Sequence, residues 1–304
     1  MTPPAVLQGR RFVTDGGLET DLIFHHGADL PEFASFPLID EARGRELLAH
    51  YYEGYADVAR RAGAGLLLEA PTWRANPAWG QRLGYDAAAL DRVNRDSISF
   101  LHERRDTHPE LHDQGVLVGG MLGPRGDGYL AGDRLSSEEY ADYHRPQLAS
   151  FQDAGADLAT ALTLVGADEA IGIVTAARDV GLPIAVSFTV ETDGRLAGGA
   201  SLREAIEEVD AAGGPDWFLV NCAHPTHVAR GLDDDGPWER IVGLRPNASQ
   251  MSHAELDEAE VLDEGDPAEL RASLATMDAR LPSLQIVGGC CGTDARHVAA
   301  LWGV

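Results

Sequence analysis

The stretch LQIVGGCCGT, residues 284–293, ends a short apolar run on two adjacent cysteines, and WFLVNCAHP, residues 217–225, ends another on a third. Cys222, Cys290 and Cys291 are all the cysteines in the 304 residues. Short apolar runs without strict alternation are typical of parallel strands that are buried on both faces. In a closed barrel of such strands, the carboxyl ends form one rim. A barrel would therefore bring three thiols that are distant in sequence to one mouth.

Eight apolar runs alternate with segments of helical periodicity along the chain. They cover residues 11–17, 65–71, 115–123, 157–164, 183–190, 217–223, 241–248 and 284–292. Eight strand–helix units match one (β/α)₈ barrel, for which about 250 residues is typical. We therefore predict an α/β fold, a (β/α)₈ TIM barrel forming a single domain over residues 1–304. A doubly wound open sheet has the same local pattern and is the alternative.

The composition excludes several classes of function. Acidic residues number 49 against 24 lysines plus arginines, giving a net charge of −25, and every one of those cations is arginine. This negative field repels nucleic acids and anionic membrane surfaces, so neither is an expected partner. Without lysine, Schiff-base, pyridoxal-phosphate and Walker-loop chemistry cannot operate. No secretory signal is recognised and the cysteine count is odd, so we expect a cytoplasmic protein without a disulfide framework.

The three cysteines have three competing interpretations. As thiolates on one rim, they would hold zinc and leave its fourth position open, as in catalytic zinc sites. The glycines around Cys290 and Cys291 would permit the sharp turn that this requires, because glycine tolerates positive φ and close approach. The same glycine-rich loop would also suit a phosphate, since the loops after the last two strands of these barrels often bind one. Finally, free cysteines are often small buried hydrophobes.

Four motifs bring in a family resemblance. VTDGGLETDL (13–22), Asn221–Cys222 in VNCAHP, PNAS (246–249) and GGCCGT (288–293) resemble the homocysteine S-methyltransferase family over nearly the whole chain. The resemblance implies a (β/α)₈ barrel, with Cys222, Cys290 and Cys291 as ligands of Zn²⁺. It also implies that Asp15 lies near the homocysteine-binding pocket.

Two segments depart from the family pattern. Where the family has a glutamate after the fourth strand, which helps to bind the homocysteine amino group, this chain has Leu162, and only the following Thr163 agrees. The second strand ends in LEAPTWRAN instead of an NTY-like stretch, which makes Glu69 a candidate replacement carboxylate. Asn221, at a strand end beside a ligand, is placed to orient a sulfur or the substrate. We therefore expect Asp15, Glu69, Thr163 and Asn221 to bind substrate.

The resemblance implies transfer of a methyl group from an onium-type donor to a thiol, with homocysteine as the expected acceptor and methionine as the product. A small-molecule thiol and a methyl donor are thus the expected partners. Leu162 leaves two alternatives open: another thiol acceptor, or a catalytically silent barrel that binds zinc or thiols. A zinc hydrolase is disfavoured, because three sulfur ligands make the metal a poor electrophile.

Several loop residues have a functional and an ordinary interpretation. Trp73 and Trp79 could face a donor cation, since aromatic rings attract onium groups, or could simply pack in their loop. Arg125 could hold a substrate carboxylate or lie exposed. His224 and His227 follow Cys222 closely, whereas His253 is expected to be a loop residue.

Overall fold

The computed structural model describes residues 6–129, 135–277 and 279–304, so residues 1–5, 130–134 and 278 of the predicted domain lie outside it. Eight parallel strands close into a barrel in sequence order, and the eighth pairs with the first. The strands are β1 (Phe12–Val13), β2 (Gly65–Glu69), β3 (Val116–Leu122), β4 (Leu158–Leu164), β5 (Ile184–Phe188), β6 (Trp217–Asn221), β7 (Ile241–Arg245) and β8 (Ile286–Val287). The predicted TIM barrel is confirmed, and the open-sheet alternative is wrong.

Helices lie between the strands. The α-helices of the described residues are α1 (Leu18–Phe24), α2 (Ala42–Ala62), α3 (Pro77–Arg82), α4 (Ala87–Asp106), α5 (Ser137–Asp153), α6 (Ala167–Val180), α7 (Leu202–Ala211), α8 (Pro225–Gly231), α9 (His253–Asp257), α10 (Pro267–Ala275) and α11 (Ala295–Trp302). Short 3₁₀ helices cover Pro31–Phe33, Phe36–Asp40, Pro109–Leu111 and Trp238–Arg240. Within this part of the chain, no helix combines the length and apolar composition required to span a bilayer.

Two layers of apolar side chains hold the barrel together. One packs the outward faces of the strands against the helices, and includes Val13, Phe151 and Phe218. The other fills the barrel itself with alternate strand residues such as Leu67 and Trp217. Burial of each such side chain contributes about 1.5–3 kcal/mol to stability. The core therefore fixes the strands rigidly and leaves their carboxyl ends free for chemistry.

The first and last strands are shorter than predicted. Only two residues of each, Phe12–Val13 and Ile286–Val287, have strand pairing. After them the chain turns into loops at the carboxyl rim, where Gly289 donates its N–H to the Asp15 carbonyl at 2.8 Å. These loops carry the DGG and GGCCG motifs. The apolar runs therefore predict strands that are too long, because each run continues into the motif that follows the strand.

Candidate active site

The three cysteine sulfurs meet at the carboxyl rim. The Sγ atoms of Cys222, Cys290 and Cys291 all lie within 4.8 Å of one another. Cys222 follows β6 with a φ of +55°, a left-handed conformation that non-glycine residues rarely adopt. Such strained residues are common at functional sites. Cys290 and Cys291 follow β8 and are partly exposed, whereas Cys222 is buried.

The GGCCG loop approaches its neighbours too closely for larger residues. A Cβ on Gly289 would lie 2.0 Å from Thr293 Oγ1. The Cys290 N–H is anchored to the Pro246 carbonyl at 2.8 Å. Of the glycines in the motif, only Gly292 has a positive φ, +76°. Before the cysteines, Gly289 thus allows the backbone to approach Thr293 closely. After them, Gly292 adopts the left-handed conformation.

The three cysteine side chains shift one another's pKa values. Hydrogen bonds from the thiols of Cys290 and Cys291 hold the pKa of Cys222 well below its usual range, against the effect of burial. Contact with Cys222 raises the pKa values of Cys290 and Cys291 well above their usual range. Contact among the three sulfurs therefore favours ionisation of Cys222 over ionisation of its two neighbours.

Polar side chains surround the sulfurs. The Tyr129 hydroxyl lies 3.2 Å from Cys222 Sγ, and Asn247 Nδ2 lies 3.8 Å from the same atom. Asn221 Nδ2 lies 3.8 Å from Cys290 Sγ. Sequence reasoning singled out Asn221 but missed Tyr129 and Asn247. The PNAS motif was a signal for Asn247, whereas Tyr129 had only its position in a rim loop.

His253 was predicted to be a loop residue, but it belongs to a helix beside the sulfur cluster. It begins α9, is buried, and binds the Cys222 carbonyl through Nε2 and Glu191 through Nδ1, both at 2.7 Å. Burial lowers its pKa, but the contacts with Cys222 and Glu191 outweigh burial and raise the pKa to about 10. Its ring also stacks on Tyr129 at 4.2 Å. His253 therefore fixes the backbone of Cys222, and its raised pKa favours the charged form of the ring.

Asn221 ties three strand ends together. Its Oδ1 accepts hydrogen bonds from the Thr163 N–H at 2.8 Å and from Ser187 Oγ at 2.7 Å. Its Nδ2 donates to Thr163 Oγ1 at 2.9 Å. Thr163 itself has a φ of +64°, the second left-handed residue at a strand end of the site. This network fixes the amide that faces Cys290.

A buried triad lies at the rim. Arg245 at the end of β7 pairs with Asp15 at 2.6 Å and with Glu69, and all three side chains are buried. Burial lowers the pKa of Arg245, but the two carboxylates outweigh it and raise that pKa. Burial raises the pKa values of Asp15 and Glu69 despite Arg245. An arginine ending the otherwise apolar run IVGLR was the overlooked signal, because an ionised side chain is rarely buried without a partner.

Two cavities adjoin the sulfurs. The inner cavity, about 50 Å³, is lined by Asp15–Glu19, Phe33, Trp73, Met121, Tyr129, Leu162, Thr163, Asn221, Arg245, Cys290 and Cys291. The outer cavity, about 360 Å³, shares Phe33, Trp73, Tyr129 and Cys291 with it. The outer cavity also reaches Arg74, Asp127, Asn247, His253, Asp257 and Asp263. A thiol in the inner cavity and a second molecule in the outer one could thus meet beside Cys291.

The predicted substrate residues divide into two groups. Asp15, Thr163 and Asn221 line the inner cavity, whereas Glu69 is held by Arg245 and does not line it. Trp73 lines both cavities.

Other residues singled out in the sequence make local packing or capping contacts. The Arg74 and Arg82 guanidiniums lie 3.8 and 4.5 Å from the Trp79 ring. Arg125 lies over the Tyr143 ring at 5.9 Å. His224 caps α8.

The family model for homocysteine S-methyltransferase matches residues 12–303. The chain belongs to this family. It is 24% identical to homocysteine S-methyltransferase 2 of Arabidopsis thaliana over 95% of this chain and 91% of that protein. It is 28% identical to homocysteine S-methyltransferase of Escherichia coli over 84% of this chain and 82% of that protein. Membership makes the chain a methyltransferase.

A further relative is named selenocysteine Se-methyltransferase, from Brassica oleracea var. italica. It is 23% identical over 95% of this chain and 87% of that protein. Among solved structures, the oxidized form of the homocysteine methyltransferase MmuM from Escherichia coli has a TM-score of 0.76 at 24% identity, covering 96% of this chain and 95% of that one. Its metallated form has a TM-score of 0.75 at 23% identity, covering 97% and 96%. These likenesses agree with the closed barrel.

Proposed function

We propose that the protein is a zinc-dependent methyltransferase that moves a methyl group from an onium donor to the thiol of homocysteine, giving methionine. The observation that carries the proposal is the meeting of three sulfurs, within 4.8 Å of one another, beside two adjoining cavities. Free thiols at such a site need a reducing compartment, so we assign the protein to the cytoplasm.

The donor set suits zinc. Three cysteine sulfurs within 4.8 Å of one another are the type of donor set that would hold zinc. Soft thiolates favour zinc over magnesium or manganese. When bound, zinc would keep the acceptor sulfur ionised at neutral pH. Cys222, Cys290 and Cys291 would hold it, with Asn221, Tyr129 and Asn247 orienting their sulfurs.

We assign the acceptor to the inner cavity. Asp15, Thr163 and Asn221 line it beside the sulfurs. The acceptor thiol would lose its proton to solvent on binding. Its sulfur lone pair would then form the new S–CH₃ bond, while the electron pair of the breaking bond leaves with the donor. Fixing both molecules in line is the main contribution of the chain to the rate.

We assign the methyl donor to the outer cavity. The aromatic residues Phe33, Trp73 and Tyr129 line it, and so do the acids Asp127 and Asp257. Aromatic faces and carboxylates both attract a sulfonium or quaternary ammonium group. Water is excluded from the transfer where these aromatic residues also wall the inner cavity.

Metal content and methyl transfer test the proposal. Wild-type protein purified with zinc should contain one zinc ion per chain, and Cys290→Ser should lose most of it, because one ligand is removed. Zinc is measured by plasma mass spectrometry. Methionine is measured by mass spectrometry with homocysteine and betaine, S-methylmethionine or S-adenosylmethionine as the donor.

All three cysteines of the chain belong to the site, so the control is Ser99→Ala, which changes an exposed hydroxyl on α4. It should retain the wild-type metal content. Equal zinc in the wild type and Cys290→Ser would overturn the zinc assignment. Absence of methionine with every donor would overturn the acceptor assignment.

A further inference from the structure

Glu19 brings an acidic side chain into the wall of the inner cavity. It is the second residue of α1, in the loop-to-helix segment that follows the DGG motif. Its side chain lines the same cavity as Cys290, Cys291 and Leu162. Neither the barrel core nor the sulfur cluster uses this carboxylate.

The partners of Glu19 are few. Ser35 donates its hydroxyl to Glu19 Oε1 at 2.7 Å. Among the described residues, the carboxylate has no arginine or histidine nitrogen within 4.0 Å, unlike Asp15, which has Arg245. Burial raises the pKa of Glu19, and nearby Asp15 adds to the shift. This partly buried carboxylate has a hydrogen bond but no ion pair, so the position favours a positively charged ligand group.

The cations closest to the cavity are already engaged. Arg245 is held by Asp15 and Glu69 and also donates to the Gly289 carbonyl at 3.0 Å. The Arg74 guanidinium lies over the Trp79 ring at 3.8 Å and donates to the Glu32 carbonyl. Arg74 favours the ionised form of Glu19 through space, but among the described residues neither arginine forms an ion pair with it.

The end of β4 offers no ligand for a cation. Leu162 is buried there in a small cluster with Trp73 and Met121. An ammonium group placed against these three side chains would lose its water without gaining a hydrogen bond. At Glu19, the same group would gain a charge-assisted hydrogen bond.

We infer that Glu19 binds the ammonium group of an amino acid thiol in the inner cavity and so selects amino acid acceptors over simple thiols. The inference rests on the proposed function, because it places the acceptor in that cavity. The β1–α1 segment, not the end of β4, then sets the orientation of the substrate amino group.

The test compares two acceptors that differ only in the amino group, homocysteine and 4-mercaptobutanoate. Glu19→Gln keeps the shape of the side chain and removes its charge. We expect kcat/KM for homocysteine to fall about 10- to 100-fold, as for loss of a hydrogen bond to a charged group. For 4-mercaptobutanoate, kcat/KM should change less than about 3-fold. Calorimetric titration should show the same selective loss in the affinity for homocysteine.

Glu46→Gln is the matched control, since Glu46 is exposed on α2. It should leave kcat/KM for both thiols and the thermal unfolding midpoint unchanged. Equal effects of Glu19→Gln on the two thiols, or none on homocysteine, would overturn the inference. If the wild type methylates neither thiol, the proposed function falls, and the calorimetric comparison alone decides the role of Glu19.

Discussion

The hydroxyl of Tyr129 links the sulfur cluster to both cavities. It lies 3.2 Å from Cys222 Sγ, and the Tyr129 ring stacks on His253 at 4.2 Å. The same side chain lines the inner and outer cavities. Groups that hydrogen-bond to metal ligands typically change metal affinity when they are removed.

We predict that Tyr129→Phe weakens zinc binding about 10-fold or more, because Cys222 loses a hydrogen-bond partner. Zinc affinity is measured by competition with a chelator. Tyr85→Phe is the control, since it removes a hydroxyl that binds Asp40 on the surface. Equal zinc affinities of Tyr129→Phe and the wild type would show that this hydroxyl does not support the ligand.

The sequence allowed prediction of residues whose type and strand position are both distinctive. The cysteines met this condition, because three rare thiols ended two strands of a barrel. Glu19 and Tyr129 did not, because their roles depend on which side chains face them across the mouth. Glu69 shows the same limit. It was predicted to replace a substrate-binding carboxylate, but it pairs with Arg245 and does not line the inner cavity.

Among the elements, the final helix closes the barrel next to the GGCCG loop. Asp294 caps α11 by accepting hydrogen bonds from the N–H groups of Arg296 at 2.8 Å and His297 at 3.4 Å. Burial raises the pKa of Asp294, but the contacts with His297 and Arg296 outweigh burial and hold that pKa well below its usual value. The cap therefore depends on an ionised carboxylate.

We predict that Asp294→Asn lowers the free energy of unfolding by about 0.3–1 kcal/mol at neutral pH, because asparagine can still accept the cap hydrogen bonds but lacks the negative charge at the helix N-terminus. The folded-state pKa of Asp294 lies below the unfolded one, so its charge stabilises the protein above about pH 4 and progressively less as the pH falls. The difference between the wild type and the variant should therefore shrink on acidification. Urea unfolding at several pH values measures it.

The control for this helix is Asp113→Asn, which changes an exposed carboxyl outside α11. It should show little change in unfolding free energy at any pH. A difference for Asp294→Asn that stays constant with pH would show that the charge of Asp294 does not stabilise the helix.

The elements themselves were predictable to different degrees. All eight strands were located, because apolar runs and helical segments alternate regularly. The ends of β1 and β8 were not, since glycine-rich motifs continue the apolar pattern beyond the last paired residue. Pro146 lies inside α5, and the helix continues past it.

The whole molecule carries a formal net charge of −25. Arginines on its surface pair with acids, as Arg92 does with Asp40 at 2.5 Å and Arg95 with Asp153 at 2.7 Å. Such exposed pairs contribute only about 0–1 kcal/mol each. The unpaired acids repel one another over longer distances, and this repulsion destabilises the compact state.

We predict that sodium chloride raises the thermal unfolding midpoint. Raising the sodium chloride concentration from roughly 0.01 M to 0.1 M shortens the Debye length from about 30 Å to about 10 Å. Long-range repulsion is then screened more than ion pairs in direct contact. The midpoint is followed by calorimetry, with an uncharged solute of equal osmolality as the control. A midpoint that falls with salt would show that the ion pairs outweigh the repulsion.

The triad of Asp15, Glu69 and Arg245 joins the ends of β1, β2 and β7, and its members Asp15 and Arg245 line the inner cavity. Removing one member of a buried ion cluster costs several kcal/mol, whereas replacing the whole cluster with apolar residues can be neutral. A single substitution at one of these positions should therefore cost more stability than a joint apolar replacement of all three. An engineered chain without this arrangement would have to be redesigned at all three positions at once.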